Sequence, residues 1–441
     1  MPRSICYSIL WPISSKIKKD DEITLDYVHH VKPELKKYKI FPWFEEDFST
    51  ESSRRTYCLT DQFFHSHLND PGLTVLGHNH IAEKDKYKVF TDMPFIAIGL
   101  QNCSLFEVVC DPKQSDICWF HFAERELIKD LPQHVMINQL IGDRVLTLKP
   151  LLAALASDPG VIQVTGAGSE LDVTNHPLTS SWYPVTFNLV HELPQFLAHY
   201  QRLEKMDSIS YWICRPWTVA QPSEIVITNS ADQIVAVSEG LPMLVSRYIS
   251  KPILFHRSDL NGKVKFDLRF IVCLRSSHPL QLYIFKNFVP RFSQSEFDLK
   301  DLNNHKRHLT TQTGRKDSME KALTDATFVN ELQTQYPSII WPTVEKSMHS
   351  VILKAFKAAT MYSYPRGLKA LANCRAMFAV DIMLEEQSNS IVPLISGIHL
   401  NPDCSSIFDT HPEFYKHIFT CLFTSESQFS HSQSFSKFFR I

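Results

Sequence analysis

Two stretches near the C-terminus decide the fold: RAMFAVDIML (Arg375 to Leu384) and PLISGIHLNPDC (Pro393 to Cys404). Each is short, apolar and β-branched or aromatic in character, with polar residues set into it, the pattern of a buried strand. Side chains alternate with period two along a strand, so Gly397, His399 and Asn401 share one face of the second segment. Asp381 stands alone among apolar neighbours in the first. Adjacent antiparallel strands that carry polar groups to a common buried face usually build a site rather than a core.

Upstream, further strands and helices alternate. KYKVFTD (86–92), FEVVC (106–110), ICWFHF (117–122) and HVMINQL (134–140) are expected strands, with a short helix over 148–156. After a loop rich in Gly, Ser, Thr and Pro (157–183) come VTFNL (185–189) and an amphipathic helix over 192–206. YWICRPW (211–217), EIVIT (224–228) and MLVSRYI (243–249) follow as strands. A long strand over 263–274 and its partner over 280–286 flank a turn at 275–279. In the helix expected over 343–362, Val344, Met348, Val351, Ile352, Ala355, Phe356 and Ala359 form one apolar stripe, and Pro342 suits its start. Strands alternating with helices make the chain α/β. The segment after Phe423, repetitive in Ser, Phe, Gln and His, is expected to be a flexible tail.

Composition narrows the classes. The 441 residues suffice for two or three packed units, and 44% hydrophobic with 21% charged residues is ordinary for a folded protein. A formal charge of −2 announces no nucleic-acid partner. The chain holds 12 glycines, well under the roughly 7% typical of proteins, which is sparse for a glycine-loop nucleotide enzyme. Ten scattered cysteines without a C-x-x-C pair read as reduced, buried thiols. No apolar run approaches the roughly 20 residues a bilayer needs, and MPRSICYSILWPI lacks a cleavage site and reads as a strand. A cytoplasmic monomer is expected, with cytoskeletal association or a nuclear pool left open. His65-x-His67 and His78-x-His80 have a spacing that zinc accepts, but the turn residues Asn69 to Gly72 between them favour ordinary surface histidines.

Read together, Arg247-Tyr248-Ile249, KFDLR (265–269), His308-Leu309-Thr310, Asp381 and Asn401-Pro402 stand in an order that resembles the tubulin–tyrosine ligase-like family over residues 86–423. The likeness is strongest to one member at WICRPW (212–217), GKVKFDLR (262–269), Arg291-Phe292-Ser293, RAMFAVD (375–381) and NPDC (401–404). That member has a further N-terminal domain, so a shortened form or an incomplete gene model is expected. The resemblance implies an ATP-grasp-like core of three subdomains (86–183, 184–250 and 251–423), behind a small N-terminal extension over 1–85 and before a tail over 424–441. It implies ATP and Mg²⁺ as cofactors and tubulin, or another acidic protein tail, as partner.

Residue by residue, the resemblance assigns magnesium to Asp381 and to the positions here held by Gly397 and His399. It assigns phosphate to Arg215, where the family carries Lys, and adenine to the backbone around Arg247 and Tyr248. Lys265, Asp267, Arg269 and Arg291 are implied to bind the acidic substrate, with Arg269, Arg291 and Asp381 at the reacting phosphate. Magnesium prefers oxygen ligands in octahedral array; Gly397 offers none and His399 offers nitrogen. Asn401 or Glu385 would substitute only after a costly slip of strand register. The loop TVAQPSEIVIT (218–228) contains no glycine with which to approach phosphate. The expectation is a catalytically impaired ligase that binds an acidic tail and regulates its tyrosination. An active ligase adding tyrosine or glutamate, and a signalling or chromatin scaffold, are the competing readings. The basic run Lys300, Lys306, Arg307, Arg315 and Lys316 would add local positive charge.

Overall fold

The 16-residue strand Gly262–Ser277 organises the molecule, because its two faces enter two different cores. In the computed structural model, which describes residues 31–42, 46–54, 61–67, 83–121, 125–132, 134–208, 210–218, 222–260, 262–310, 323–388 and 390–441, three sheets are present. The first is parallel, with β1 (Tyr87–Thr91), β2 (Phe106–Val108), β3 (Ile117–Trp119) and β4 (Met136–Ile137) in the order β2-β1-β3-β4. The second is antiparallel, with β5 (Thr186–Asn188), β6 (Trp212–Pro216), β7 (Val226–Thr228) and β8 (Met243–Arg247) in the order β5-β8-β6-β7. The third contains β9 (Leu254–Arg257), β10 (Gly262–Ser277), β11 (Leu280–Phe285), β12 (Val289–Phe292), β13 (Ala376–Gln387), β14 (Ser390–Leu400) and β15 (Phe438–Arg440). Its order is β14-β13-β10-β11-β15, with β9 and β12 also paired to β10.

Period-two alternation explains where this third sheet buries what. Val264, Phe266, Leu268, Phe270, Val272 and Leu274 of β10 join the core formed with helix Trp341–Met361. Ile271 and Cys273 on the opposite face join a second core with helix Phe414–Phe423 and the parallel sheet. On that same second face, earlier in the strand, stand Lys265, Asp267 and Arg269. β13 repeats the arrangement: Phe378, Val380 and Ile382 enter the first core, Met377 and Ala379 the second, and Asp381 comes next on the second face. The polar residues therefore gather where the second core ends.

Helix Trp341–Met361 buries the whole expected stripe and begins two residues earlier than expected, with Pro342 in its first turn. Among the described residues no helix is long and apolar enough to cross a membrane. The chain divides into two units, Met1–Glu46 and Asp47–Ile441. The described part of the first contains helix Pro33–Lys39, with Glu34 in its first turn and Lys36, Lys37 and Lys39 in its last, complementing the helix dipole. The strand expected at Met1 to Ile13 lies outside the described residues. The expected extension to residue 85 is thus divided: Asp47 and Phe48 belong to the main unit. There Phe48 is fully buried, its backbone N–H donates to Gln201 Oε1 at 2.6 Å, and Lys205 meets Asp47 at 2.6 Å.

The expected flexible tail is ordered. Ser425 opens helix Glu426–Ser430 with a reciprocal capping box to Gln428, and β15 adds an edge strand to β11. Three contacts outweigh the polar composition. Phe429 is fully buried with its ring 5.1 Å from Tyr283, Phe438 lies 5.5 Å from Phe285, and the Arg275 guanidinium donates to the carbonyls of Cys421 and Thr424. Phe429→Ala is expected to lower unfolding stability by about 3–5 kcal/mol, read as a fall in the urea midpoint at unchanged slope. A tail held only by its own helix would leave the midpoint in place.

Candidate functional site

Strand register assembles the polar face into a ladder of alternating charge. β12 sets Arg291 opposite Asp267, and β13 sets Asp381 opposite Arg269. Arg291 donates through Nε and Nη2 to both carboxylate oxygens of Asp267 at 2.7 Å each, and its Nη2 also lies 2.8 Å from Asp381 Oδ2. Arg269 donates to Asp381 Oδ1 and Oδ2 at 2.8 and 2.9 Å. His399 Nε2 lies 3.2 Å from Asp381 Oδ2, and Thr310 donates its hydroxyl to Asp267. These paired forks are the strongest form of charged hydrogen bond, and they are mostly shielded from water.

The electrostatics follow from that shielding. Burial by itself would raise the Asp381 carboxyl, but the hydrogen bonds from Arg269 and His399 and the charge of Arg291 outweigh it and hold its pKa well below the ordinary range. Burial and the neighbouring Asp381 charge push Asp267 upward, against Arg291 and Thr310. Removing one partner from such a buried network leaves an uncompensated charge.

The donors around Asp381 decide whether a magnesium ion can be held there. A β-bulge at Ser396 brings Gly397 opposite Asp381 and His399 opposite Ala379, so the two strands do converge as the sequence implied. A Cβ built on Gly397 would lie 3.2 Å from His399 Nε2 and 4.0 Å from Asp381 Oδ2, so a side chain there would face the ladder. Glycine supplies none. Both oxygens of Asp381 are engaged by guanidinium and imidazole nitrogens, leaving a cation to displace Arg269, Arg291 or His399. Of the two proposed substitutes, Glu385 is held by Arg247 at 2.7 and 2.8 Å, whereas Asn401 follows β14 in a left-handed conformation with φ of 46° and its buried Oδ1, a single neutral oxygen, has no hydrogen-bond partner among the described residues. Among the described residues no group of three or more His, Cys, Asp or Glu is arranged to hold a metal. The residues present do not fit magnesium.

The other assigned residues are brought to the same region, with mixed consequences. Lys265 is buried, donates to the carbonyl of Ile249 at 3.1 Å and lies 3.8 Å from the centre of the Tyr248 ring. Burial pulls its ammonium down to about 7. Tyr248 spends its hydroxyl on His308 Nδ1 at 2.9 Å. The backbone N–H groups of Arg247 and Tyr248 are already paired, to the carbonyls of Val185 and Tyr211, each at 2.8 Å. Arg215 reaches the Ser396 carbonyl and the Ser246 hydroxyl only at 3.4 and 3.5 Å, and its Nε has no hydrogen-bond partner among the described residues. Lys300 and Lys306 are exposed, whereas Arg307 leans on Asp298 and Asp301 at 3.7 and 3.6 Å. Arg315, Lys316, His78 and His80 lie outside the described residues, and His65 is exposed on helix Asp61–His67 with its ring 5.3 Å from Tyr364.

Two neighbours escaped the sequence reading. Lys149 is lowered to about 8 by burial and by the nearby charge of Arg215. Glu170, from an irregular loop, pairs with Arg247 Nε at 2.6 Å and lies 3.1 Å from His199 Nε2. No spacing rule links either residue to the ladder; only chain folding does.

The sequence model of the Tubulin-tyrosine ligase family matches residues 129–434. The chain belongs to this family. It is 31% identical over 442 residues to tubulin–tyrosine ligase-like protein 12 of Homo sapiens, covering 97% of this chain and 65% of that protein. It is 30% identical over 444 residues to the Caenorhabditis elegans protein of the same name, covering 97% and 64%. A probable tubulin polyglutamylase, TTLL2 of Homo sapiens, is 26% identical over 242 residues, covering 51% and 37%. The chain spans just under two thirds of the length of these ligase-like 12 relatives.

Two outcomes test the ladder. Asp381→Asn leaves Arg269 and Arg291 without their shared carboxylate and is expected to cost about 3–5 kcal/mol in urea unfolding, whether or not magnesium is present. The neutral form of Lys265 is favoured by folding, so the folded state binds fewer protons between its lowered pKa near 7 and the ordinary value near 10.5. Stability should therefore rise with pH from 7 towards 10 in the native chain, and Lys265→Met should flatten that rise.

Proposed function

We propose that this chain is a ligase-fold protein that has given up magnesium-dependent phosphoryl transfer and instead binds tubulin, or another acidic protein tail, to regulate its tyrosination. One observation carries the reading: Asp381 is neutralised by Arg269, Arg291 and His399 at the point where a divalent cation would need oxygen donors. ATP-grasp chemistry moves the γ-phosphoryl of ATP to a carboxylate, a step that depends on charge neutralisation and positioning. Here the neutralising cations are built into the chain and already matched to carboxylates. The three-subdomain ATP-grasp division is part of the same proposal, as is a cytoplasmic site of action.

Binding an acidic tail fits what is left over. Arg269 is the more exposed of the two ladder arginines, with about a fifth of its side chain accessible, against about a tenth for Arg291. An incoming carboxylate can share the Arg269 fork at the open end of the ladder. The exposed Lys300 and Lys306 add positive charge on the segment following β12. Tubulin as the partner is supported by family membership and by the tubulin-modifying names of the relatives.

Calorimetry with ATP should show no gain in affinity on adding magnesium. Micromolar magnesium-dependent binding, together with labelled tyrosine or glutamate entering tubulin and loss of that label in Asp381→Ala, would overturn the proposal. The double variant Gly397→Glu/His399→Asn restores two oxygen-bearing side chains facing Asp381. It should acquire magnesium-dependent nucleotide binding that the native chain lacks. Against an acidic tail peptide at low salt, Arg269→Gln, which leaves Arg291 on both carboxylates, should weaken binding at least tenfold with a native circular dichroism spectrum. Unchanged affinity in that folded variant would remove the ladder from the binding surface.

A further inference from the structure

A cavity of about 580 Å³ lies among residues that contribute nothing to the ladder. Helix Lys149–Ala156 gives it Leu155, helix Pro159–Thr165 gives Ile162, helix Asp61–His67 gives Phe64, and the following loop gives Leu178. All four are less than a tenth exposed, so the walls are both apolar and set into the core. Its volume is that of pockets that enclose small organic ligands.

Among the described lining residues the charged side chains are Asp158, Arg54 and Arg366. Among the described residues Asp158 is the one carboxylate on the lining, and its Oδ1 is spent on the protein. That oxygen accepts from the N–H groups of Gly160 and Val161 at 2.9 and 3.1 Å and from the Tyr362 hydroxyl at 2.5 Å. Two guanidinium groups, Arg54 and Arg366, share the lining with it. Arg366 uses its Nε on Asp61 at 2.8 Å, and its side chain is 43% exposed. Asp172, which feels the charge of Arg54, commits Oδ1 to Thr174 and His176. Apolar walls beneath guanidinium groups recognise a molecule with an apolar body and an anionic end.

We propose that this cavity binds an amphipathic anion, an acyl-length apolar chain ending in a carboxylate or phosphate, with the chain against Leu155 and Ile162 and the head at Arg54 and Arg366. This site is independent of the acidic-tail reading. The test is calorimetry on the full chain with hexanoate, octanoate, decanoate and decyl phosphate, all below micelle-forming concentration, with decanol and decyltrimethylammonium as controls. Saturable one-to-one binding is expected, tightening roughly fourfold per added CH₂ until the cavity is full. Decanoate and decyl phosphate arms separate a carboxylate from a phosphate head, and either one binding supports the site. Arg366→Gln should weaken decanoate at least fivefold and leave decanol unchanged. Ile162→Trp should abolish binding by filling the space, with Ala154→Phe as the alternative should the tryptophan variant fail to fold. Absence of saturable binding by both anions, equal affinity for decyltrimethylammonium, or unaltered binding in a folded cavity-filled variant would each overturn the proposal.

Discussion

The two-sided burial of β10 is the constraint on which the rest depends. One of its faces is apolar from Val264 to Leu274 and packs in the core with helix Trp341–Met361; the other carries Lys265, Asp267 and Arg269 first and then Ile271 and Cys273, which join the core with helix Phe414–Phe423. A strand buried on both faces has no freedom to shift register by one residue, since that would drive Asp267 and Arg269 into hydrocarbon. Once β10 is fixed, β12 and β13 are fixed against it, and the charged residues meet because their strands have no other alignment.

What those residues build is a self-neutralised cluster. Two guanidiniums and two carboxylates alternate within hydrogen-bonding distance, with His399 completing the second carboxylate. A metal site requires the opposite condition, carboxylate oxygens in excess and oriented toward a common point. Gly397 offers no side-chain donor, and His399 sets a nitrogen beside it that bonds Asp381. Both positions border the same carboxylate, which Arg269 and Arg291 hold in ion pairs.

Much of this was legible in the residue order. The long strand, its partners, the stripe of the long helix and the polar face of β14 all follow from periodicity, and each is where the pattern predicts. The convergence of Asp381, Gly397 and His399 was legible through family resemblance, because a strand pattern states which face a residue takes but not what lies across from it. The ordered C-terminal segment was not legible: serines and glutamines dominate its composition, while its stability rests on Phe429, Phe438 and a distant arginine, Arg275. Lys149 and Glu170 were missed for the same reason, since their partners are far away in sequence.

The order of amino acids by itself determined the α/β character, the faces of the strands and that Gly397 and His399 offer no side-chain oxygen, because these depend on local periodicity and residue chemistry. Tertiary structure alone decided that Arg291 would bridge Asp267 and Asp381, that Lys265 would lose its solvent, and that Glu385 would be claimed by Arg247. Those outcomes turn on distance and dielectric, which exist only after strands remote in the chain have been brought together.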